Sequence, residues 1–242
     1  MNKSDINCVK ETAIVLPSLD PDKKFSAVVK KLIENGFENI IIVDDGSDEE
    51  HQCFFADAEA YPQCHVIHHG VNKGKGRALK TAFSYALNHY EELSGVITID
   101  GDGQHLTEDI IKCGNLMLEK NDKVILGSRD FNQEDVPPRS VAGNKSMSRM
   151  FKLFFDIDIN DTQTGLRAIP MQYLKSFINI DGERFEYETN MLLMMKRWGI
   201  DFIECPIATV YDSEDYSSHY HALKDTARVG KIMARFLFSR IV

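Results

Sequence analysis

Short apolar segments that end in polar turns alternate with amphipathic segments along most of this chain. Residues 12–16, 40–43 and 65–68 are short runs with apolar centres, a pattern typical of buried strands. Between these runs, apolar positions recur every three or four residues, as in 25–33 and 78–87, which predicts helices. The alternation predicts one α/β domain built on a central sheet.

The same two patterns continue through the C-terminal half. Further strands are predicted at 96–99, 124–126 and 200–211, and further helices at 110–118, 147–155 and 184–195. The aromatic residues Phe151, Phe154 and Phe155 are predicted to lie in the core. Residues 156–164 and 212–220 are polar and are predicted as loops.

An acidic turn follows the predicted strand at 96–99. Asp100 and Asp102 stand one residue apart, and the glycines beside them let the backbone bend so that both carboxylates can reach one cation. Oxygen ligands favour Mg²⁺ or Mn²⁺ over Zn²⁺. A calcium-binding EF-hand loop is excluded because its sixth and twelfth residues would be His105 and Ile111. An Asp- and Gly-rich turn without function is the alternative that stays open.

The predicted strand at 40–43 also runs into an acidic turn, which contains Asp44, Asp45 and Asp48. Open parallel sheets bind their ligands at the carboxyl ends of the strands. Both acidic turns are therefore predicted to face one pocket. Asp48 is equally consistent with a solvated turn.

A glycine-rich basic loop, residues 70–77, precedes the predicted helix at 78–87. Backbone N–H groups and the dipole at a helix start attract phosphate, so this loop is a candidate phosphate contact. Its glycine spacing matches neither the Walker A motif nor the dinucleotide fingerprint. His68 and His69, just before the loop, are predicted to lie on the surface rather than to bind a metal.

Several charged residues are left open between the surface and a site. Arg129 follows a predicted strand at its carboxyl end, where a ligand would lie. Arg139, Arg149 and Arg167 are each as consistent with an exposed position. Glu188 lies either near the pocket or on the solvated first turn of its predicted helix.

Composition narrows the classes of partner. The chain has 242 residues and a formal net charge of −9, which argues against nucleic acid. Its five cysteines lack CxxC spacing, which favours neither a zinc knuckle nor a disulfide framework and is typical of a cytosolic protein. The N-terminal segment lacks the apolar core of a signal peptide, and no stretch reaches the roughly 18 apolar residues of a spanning helix.

The last nineteen residues, 224–242, differ from the rest of the chain in charge. They carry five Lys or Arg and one acidic residue, interspersed with apolar side chains. A basic amphipathic segment on an acidic protein is typical of a helix on a membrane surface. A helix docked on the domain is the alternative.

Five motifs occur in a fixed order: VDDGSDE, NKGKGRAL, DGDGQH, GSR and DTQTGLR. In this order they resemble the family 2 glycosyltransferases with a GT-A fold. Within that family they are most similar to the polyprenyl-phosphate enzymes of the dolichyl-phosphate mannose and glucose synthase type. The resemblance implies a Rossmann-like, mostly parallel sheet with helices on both faces and a catalytic domain at 1–218. The basic amphipathic pattern predicts a C-terminal helix at 219–242.

The resemblance also implies roles for individual residues. Asp100 and Asp102 would hold Mg²⁺ or Mn²⁺. Arg129 and Arg139 would bind the phosphate of the acceptor, and Asp161 would lie near the reacting centre as base or orienter. The implied contacts to a nucleoside diphosphate sugar are Pro17, Asp20, Asp44, Asp45, Lys73, Gly76, Asp100, Gln104 and Gln163.

The implied activity is inverting transfer of a sugar from a UDP- or GDP-linked donor to a polyprenyl phosphate. A bound cation would stabilise the leaving diphosphate, and an acceptor phosphate, already anionic, would need positioning more than a base. The basic tail would hold the protein on the cytoplasmic face of a membrane. A hydroxyl acceptor on a saccharide or protein, a non-catalytic nucleotide-sugar-binding protein and a homo-oligomer stay open.

Overall fold

The computed structural model describes residues 8–131, 136, 138–210 and 222–238. The strands are β1 Thr12–Ser18, β2 Ile40–Asp44, β3 Cys64–His68, β4 Gly95–Thr98, β5 Val124–Arg129, β6 Arg167–Pro170 and β7 Phe202–Ile207. The helices are α1 Lys23–Glu34, α2 Gln52–Glu59, α3 Lys75–His89, α4 Thr107–Glu119, α5 Pro138–Phe155, α6 Met171–Ile178, α7 Glu186–Trp198 and α8 Ala222–Phe238, and a short 3₁₀ turn covers Glu49–His51.

The strands form one mostly parallel sheet in the order β3-β2-β1-β4-β6-β5-β7. β1 pairs in parallel with β2 and β4, and the pairs β2–β3 and β5–β7 are also parallel. β6 runs antiparallel to both of its neighbours, β4 and β5. Because β2, β1 and β4 are parallel neighbours, the turns that follow them meet along one edge of the sheet, here called the carboxyl edge.

Helices cover both faces of the sheet, as predicted. In β1, Ile14 and Leu16 point into an apolar layer shared with α1, α2 and α4. Ala13 and Val15 point into the opposite layer, which contains side chains of α3 and of α5 to α8. A strand that is buried on both faces has no need of polar alternation, which explains the continuous apolar runs in the sequence.

Three elements, α2, β6 and α6, have no counterpart in the sequence predictions. β6 comprises four residues, RAIP, and lies antiparallel between β4 and β5. So short a run carries almost no periodicity, and Pro170 leads directly into α6. The strand predicted at 200–211 is shorter than expected, because β7 ends at Ile207. The loop predicted at 212–220 lies outside the described residues.

The C-terminal helix α8 docks on the domain through one face. Val229, Met233 and Phe236 are buried against α7 and its neighbours. The Phe236 ring lies 5.6 Å from that of Phe155, and the Arg197 guanidinium lies 4.6 Å from the Phe236 ring centre. Arg240, the last basic residue of this segment, is outside the described range. No helix in that range combines the length and the hydropathy needed to cross a membrane.

The aromatic residues at the end of α5 are split between core and surface. Phe151 and Phe155 are buried, as predicted, but the prediction is wrong for Phe154, which is 51% exposed. Phe155 takes the contact with α8, so Phe154 and its neighbour Leu153 remain on the outer flank of the helix end.

Candidate active site

The acidic turn after β4 presents Asp100 and Asp102 at the carboxyl edge. Asp102 is exposed, and its Oδ1 accepts a hydrogen bond from the backbone N–H of Gln104 at 3.0 Å. Gly103 has a φ of +79°, a backbone conformation that residues other than glycine rarely adopt. The turn therefore holds the Asp102 carboxylate open to the outside of the sheet.

Lys75, the first residue of α3, reaches across to this turn. Its Nζ lies 2.7 Å from Asp100 Oδ1 and 3.0 Å from Glu188 Oε2, a residue of α7. The Lys75 side chain is 18% exposed and that of Glu188 is 13% exposed. On the other side, His105 Nε2 lies 3.4 Å from Asp100 Oδ2. Lys75, Asp100, His105 and Glu188 are called the Asp100 cluster below.

The charges of the Asp100 cluster determine which groups are ionised. Burial would raise the pKa of Asp100, but the Lys75 and His105 charges outweigh it and hold that pKa far below its usual range. Burial would lower the pKa of Lys75, yet Asp100 and Glu188 together raise it. Partial desolvation and the Asp100 charge raise the pKa of Asp102. Asp100 and Lys75 are therefore an ion pair at neutral pH.

The loop 160–166 closes over the Asp100 cluster. Gly165 packs so tightly against the Asp100 carboxylate that a Cβ at position 165 would overlap Asp100 Oδ2. The Thr98 hydroxyl donates a hydrogen bond to the Gly165 carbonyl at 2.7 Å, which ties the loop to the end of β4. Only glycine fits this close approach without displacing Asp100.

The acidic turn after β2 is closed rather than open. Asp44 is 2% exposed and accepts hydrogen bonds from the Ser47 backbone at 2.8 Å and from the Gln52 amide at 3.1 Å. His68 Nδ1 lies 2.9 Å from its Oδ2. Burial would raise the pKa of Asp44, but these hydrogen bonds lower it below its usual value. The carboxylate thus organises its own turn.

Asp45 ties the same turn to the glycine-rich loop. It accepts backbone hydrogen bonds from Lys73 at 3.1 Å and Gly74 at 2.6 Å, and His69 Nδ1 lies 2.7 Å from its Oδ1. The predicted surface position is confirmed for His68, which is 42% exposed. It is wrong for His69, whose ring is buried because Asp45 and the Thr81 hydroxyl satisfy both of its nitrogens.

Two other predicted nucleotide contacts lie beside this turn. Pro17 is in β1, paired with Val43 of β2. Asp20 has a φ of +48°, and its Oδ1 accepts a hydrogen bond from the Asp48 N–H at 2.9 Å. The loops after β1 and β2 are therefore joined, with both residues at the carboxyl edge.

Lys73 and Gly76 differ in what surrounds them. The Lys73 side chain is exposed, so its amine faces solvent at the carboxyl edge. Gly76 is buried, and a Cβ there would lie 2.5 Å from Tyr187 Cβ. The small size of residue 76 is thus required by the packing of α3 against α7.

Arg129 and Asp161, both predicted as catalytic residues, form a bidentate ion pair. Arg129 Nε lies 2.7 Å from Asp161 Oδ2, and Nη2 lies 3.1 Å from Oδ1. Asp161 is fully buried, whereas the Arg129 side chain is 20% exposed. Asp161 Oδ1 also accepts the Gln163 N–H at 3.1 Å, and the Gln163 residue is exposed. Arg139 lies in the first turn of α5, and its side chain is outside the described residues.

Sequence reasoning placed Lys75 only within a phosphate-binding loop and left Glu188 and Arg167 undecided. The structure puts Glu188 in the Asp100 cluster and buries Arg167, whose Nη1 donates to the Glu188 carbonyl at 3.0 Å. Arg149 is exposed. A basic loop and an acidic turn predicted at the same sheet edge were the signal that could have suggested the Lys75–Asp100 pair.

The donor set of the acidic turn suits a hard divalent cation. Asp100 and Asp102 offer carboxylate oxygens, and Mg²⁺ or Mn²⁺ commonly binds through one or two carboxylates together with substrate phosphates. In the described ranges, no three His, Cys, Asp or Glu side chains are grouped as a complete metal cage. The two carboxylates fit an ion whose remaining ligands come from a substrate.

The fold and the acidic carboxyl edge define a class of protein that comparison with known sequences identifies. The model of the family described as "Glycosyl transferase family 2" matches residues 14–178. The chain therefore belongs to glycosyl transferase family 2, as its motifs suggested.

Individual relatives extend this comparison over nearly the whole chain. An uncharacterized protein of Methanocaldococcus jannaschii is 28% identical over 232 residues, which cover 94% of this chain and 93% of that protein. A UDP-N-acetylglucosamine–dolichyl-phosphate N-acetylglucosaminyltransferase of Methanococcus voltae is 27% identical over 82% of this chain and 85% of its own length.

A solved structure shows the fold. Glucosyl-3-phosphoglycerate synthase from Mycobacterium tuberculosis, in complex with Mn²⁺, UDP and phosphoglyceric acid, matches with a TM-score of 0.68 at 14% identity, over 97% of this chain and 81% of that chain. The predicted GT-A architecture is thus confirmed.

Proposed function

We propose that this glycosyltransferase moves a sugar, with inversion, from a UDP- or GDP-linked donor to a polyprenyl phosphate, using Mg²⁺ or Mn²⁺. The observation that carries the proposal is the pair of carboxylates at the end of β4, with Asp102 exposed and Asp100 held by Lys75. The Mn²⁺ and UDP in the solved neighbour support the choice of ion and donor.

The donor would lie along the carboxyl edge. Asp100 and Asp102 would hold the cation, which would offset the negative charge that develops on the leaving diphosphate. Pro17, Asp20 and the turn of Asp44 and Asp45 would border the base and ribose. Because both buried aspartates already bond within the protein, they would shape this subsite mainly by fixing the loops around it.

Two glutamine side chains and Lys73 complete the proposed donor site. Gln104 follows the acidic turn and Gln163 lies on the loop that covers Asp100, and their side chains would contact the sugar. Lys73 and Gly76 would flank the nucleotide from the glycine-rich loop. Inversion follows if the acceptor attacks from the side opposite the diphosphate.

Arg129 is the candidate for the acceptor phosphate, with Arg139 as a second cation. The buried Asp161 carboxylate holds the Arg129 guanidinium in a bidentate pair, so we assign Asp161 to orienting Arg129 rather than to removing a proton. A phosphate acceptor is already anionic and needs no base, which agrees with that role.

A lipid acceptor implies contact with a membrane, which we place on the cytoplasmic face. The name of the Methanococcus voltae relative supports a dolichyl-phosphate acceptor. Leu153, Phe154 and Phe238 are 77%, 51% and 70% exposed, near the place where the ends of α5 and α8 meet. These apolar side chains, with the basic residues of α8, would bind the surface of an anionic bilayer.

A hydroxyl acceptor on a saccharide or protein is the second candidate. The observation that favours it is the docking of α8, whose buried face cannot also enter a bilayer. In that case the exposed apolar residues would have no lipid to meet.

The test uses the full chain with radiolabelled UDP- and GDP-sugars, Mn²⁺, and three acceptors: a polyprenyl phosphate, the matched polyprenol and an oligosaccharide. We expect label in the organic phase only with the polyprenyl phosphate, and only in the presence of the metal. Label on the oligosaccharide would support the second candidate, and label on neither would overturn a transfer function. Vesicle flotation that weakens with salt would support the membrane contact.

A further inference from the structure

Lys75 joins two carboxylates that come from different elements. Its ammonium lies 2.7 Å from Asp100 Oδ1, at the end of β4, and 3.0 Å from Glu188 Oε2, on α7. The assignment of Asp100 to a cation leaves both Lys75 and Glu188 without a role. Yet the Lys75 ammonium should affect metal binding, because it occupies an oxygen of Asp100 that the metal would use.

The backbone around Lys75 is fixed, so only its side chain can move. Gly74, with φ +103°, and Gly76 approach residues 183–187 so closely that a Cβ on either would overlap them. The Arg77 N–H also donates to the Glu183 carbonyl at 2.9 Å. The start of α3 is thus locked against the start of α7, which keeps Lys75 within reach of Glu188.

We propose that Lys75 is a displaceable counter-ion: it neutralises Asp100 until a divalent cation binds there, and then stays paired with Glu188. Lys75 and Glu188 are positioning residues in this scheme, since they act through Asp100. The inference rests on the proposed function, because it takes Asp100 as a ligand of the metal.

The charges favour such an exchange. Two cations on one carboxylate repel each other strongly at distances of a few ångströms. A buried carboxylate or ammonium without a partner is costly, and Glu188 and Lys75 are only 13% and 18% exposed. If the metal takes Asp100 while Lys75 keeps Glu188, each of these groups has an opposite charge nearby in both states. Without Glu188, the displaced ammonium would have to enter solvent.

The scheme predicts that Lys75 opposes metal binding. Titration of the full chain with Mn²⁺ alone, followed by the electron paramagnetic resonance signal of free Mn²⁺, should give K75M a dissociation constant on the order of tenfold lower than wild type. The matched control is R77M, which removes a cation from the same helix but breaks a pair with Glu183 (Nε–Oε2 2.6 Å) instead. R77M should stay within twofold of wild type.

A purely structural role for Lys75 predicts the reverse. If Lys75 only holds Asp100 in place, K75M binds Mn²⁺ as weakly as wild type or more weakly, and the proposal is overturned. Circular dichroism verifies that K75M is folded. Should it not be, K75Q keeps a polar side chain without the charge, and the same expected tightening applies to it.

A substitution of Glu188 gives a second, independent test of the proposal. E188Q should weaken Mn²⁺ binding, and the loss should be larger in the wild-type background than in K75M, where there is no ammonium to retain. An equal or larger loss in K75M would mean that Glu188 acts on the metal by charge alone, which contradicts the exchange.

The same titration separates this inference from the proposed function. If wild type binds Mn²⁺ and D102N does not, the metal site stands, and the behaviour of K75M decides the counter-ion role by itself. If neither wild type nor K75M binds Mn²⁺, alone or with UDP, the metal site of the proposed function fails and the counter-ion role fails with it.

Discussion

The two acidic turns of the sheet are alike in sequence and opposite in construction. Each follows a buried parallel strand and carries a pair of aspartates. Asp44 and Asp45 are 2% and 4% exposed and accept hydrogen bonds from backbone, histidine and amide groups of their own surroundings. Asp102 is exposed, and Asp100 is held mainly by charged side chains that can be exchanged.

The difference separates a structural aspartate from one suited to chemistry. A carboxylate that accepts several backbone hydrogen bonds is fixed and has few lone pairs left for a ligand. A carboxylate held by a lysine ammonium can trade that partner for a metal ion, since both are cations. Open position and exchangeable partners, rather than the Asp-rich motif, therefore distinguish the candidate catalytic turn.

The largest effect should come from the open turn. D102N removes one negative charge and one metal ligand at an exposed position, so transfer activity should fall on the order of 10³-fold, about 4 kcal/mol of transition-state stabilisation. Thermal stability should hardly change, because the pKa of Asp102 is already raised by desolvation and by Asp100. Turnover and melting temperature are measured on the same preparation.

The control for D102N is D57N, an exposed aspartate on α2. It changes the net charge equally and should leave both activity and melting temperature as in wild type. Similar losses in D57N and D102N would point to a general charge effect and contradict a metal-binding role for Asp102.

A substitution in the closed turn should lower the stability of the protein. D45N places an amide N–H₂ among groups that donate to the carboxylate, namely the Lys73 and Gly74 N–H groups and His69. Losing these charge-assisted bonds in a buried site should cost about 2–4 kcal/mol in the free energy of unfolding, measured by urea denaturation. D48N, in the same turn but exposed, should change it by less than about 0.5 kcal/mol. Equal costs would show that the turn is not held by Asp45.

Much of this fold was accessible from the sequence because the parallel strands are buried on both faces. Ile40–Asp44 and Val124–Arg129 stand out as apolar runs between turn residues, and helical spacing located α1, α3 and α4. Arg167–Pro170 could not be found in this way. Its assignment depends on pairing with β4 and β5, which is a property of the assembled sheet.

The sequence motifs named candidate site residues, but not the contacts that packing gives them. Asp100, Asp102, Arg129 and Asp161 were all named from motifs, and the structure puts Arg129 on Asp161. The position of Lys75 between carboxylates arises only when α3 packs against α7. The sequence is as consistent with an exposed Arg167 as with a buried one, because its hydrogen-bond partner on α7 is distant in sequence.

A smaller effect should follow from the loop that covers the open turn. G165A inserts a methyl group where Asp100 Oδ2 now lies, and the carboxylate is a flexible end that can rotate away. Activity should therefore fall roughly 10- to 100-fold while stability drops by only about 1 kcal/mol. G143A is the control, since a Cβ at position 143 meets nothing within 4 Å. This substitution should stabilise α5 by up to about 1 kcal/mol, because alanine favours a helix more than glycine does. An unchanged G165A enzyme would separate Asp100 from catalysis.

The smallest effect concerns pH and the closed turn. Desolvation would lower the pKa of His68, but the hydrogen bonds to Asp44 and Glu59 outweigh this effect. The pKa of His68 is therefore raised above its usual 6.5. The matching pKa of Asp44 is lowered from 3.8, so their pairing stabilises the protein fully between those two values. It fades as pH rises through the raised pKa of His68. The His68 side chain is 42% exposed, so H68Q should lower the free energy of unfolding by only a few tenths of a kcal/mol at pH 6. The loss should be smaller at pH 8.5.

The control is H65Q, on the same strand. The pKa of His65 is lowered by desolvation and by His89, so H65Q should show the opposite pH trend. Urea denaturation at both pH values measures this, and parallel trends for the two variants would show that the Asp44 pairing does not set the pH response.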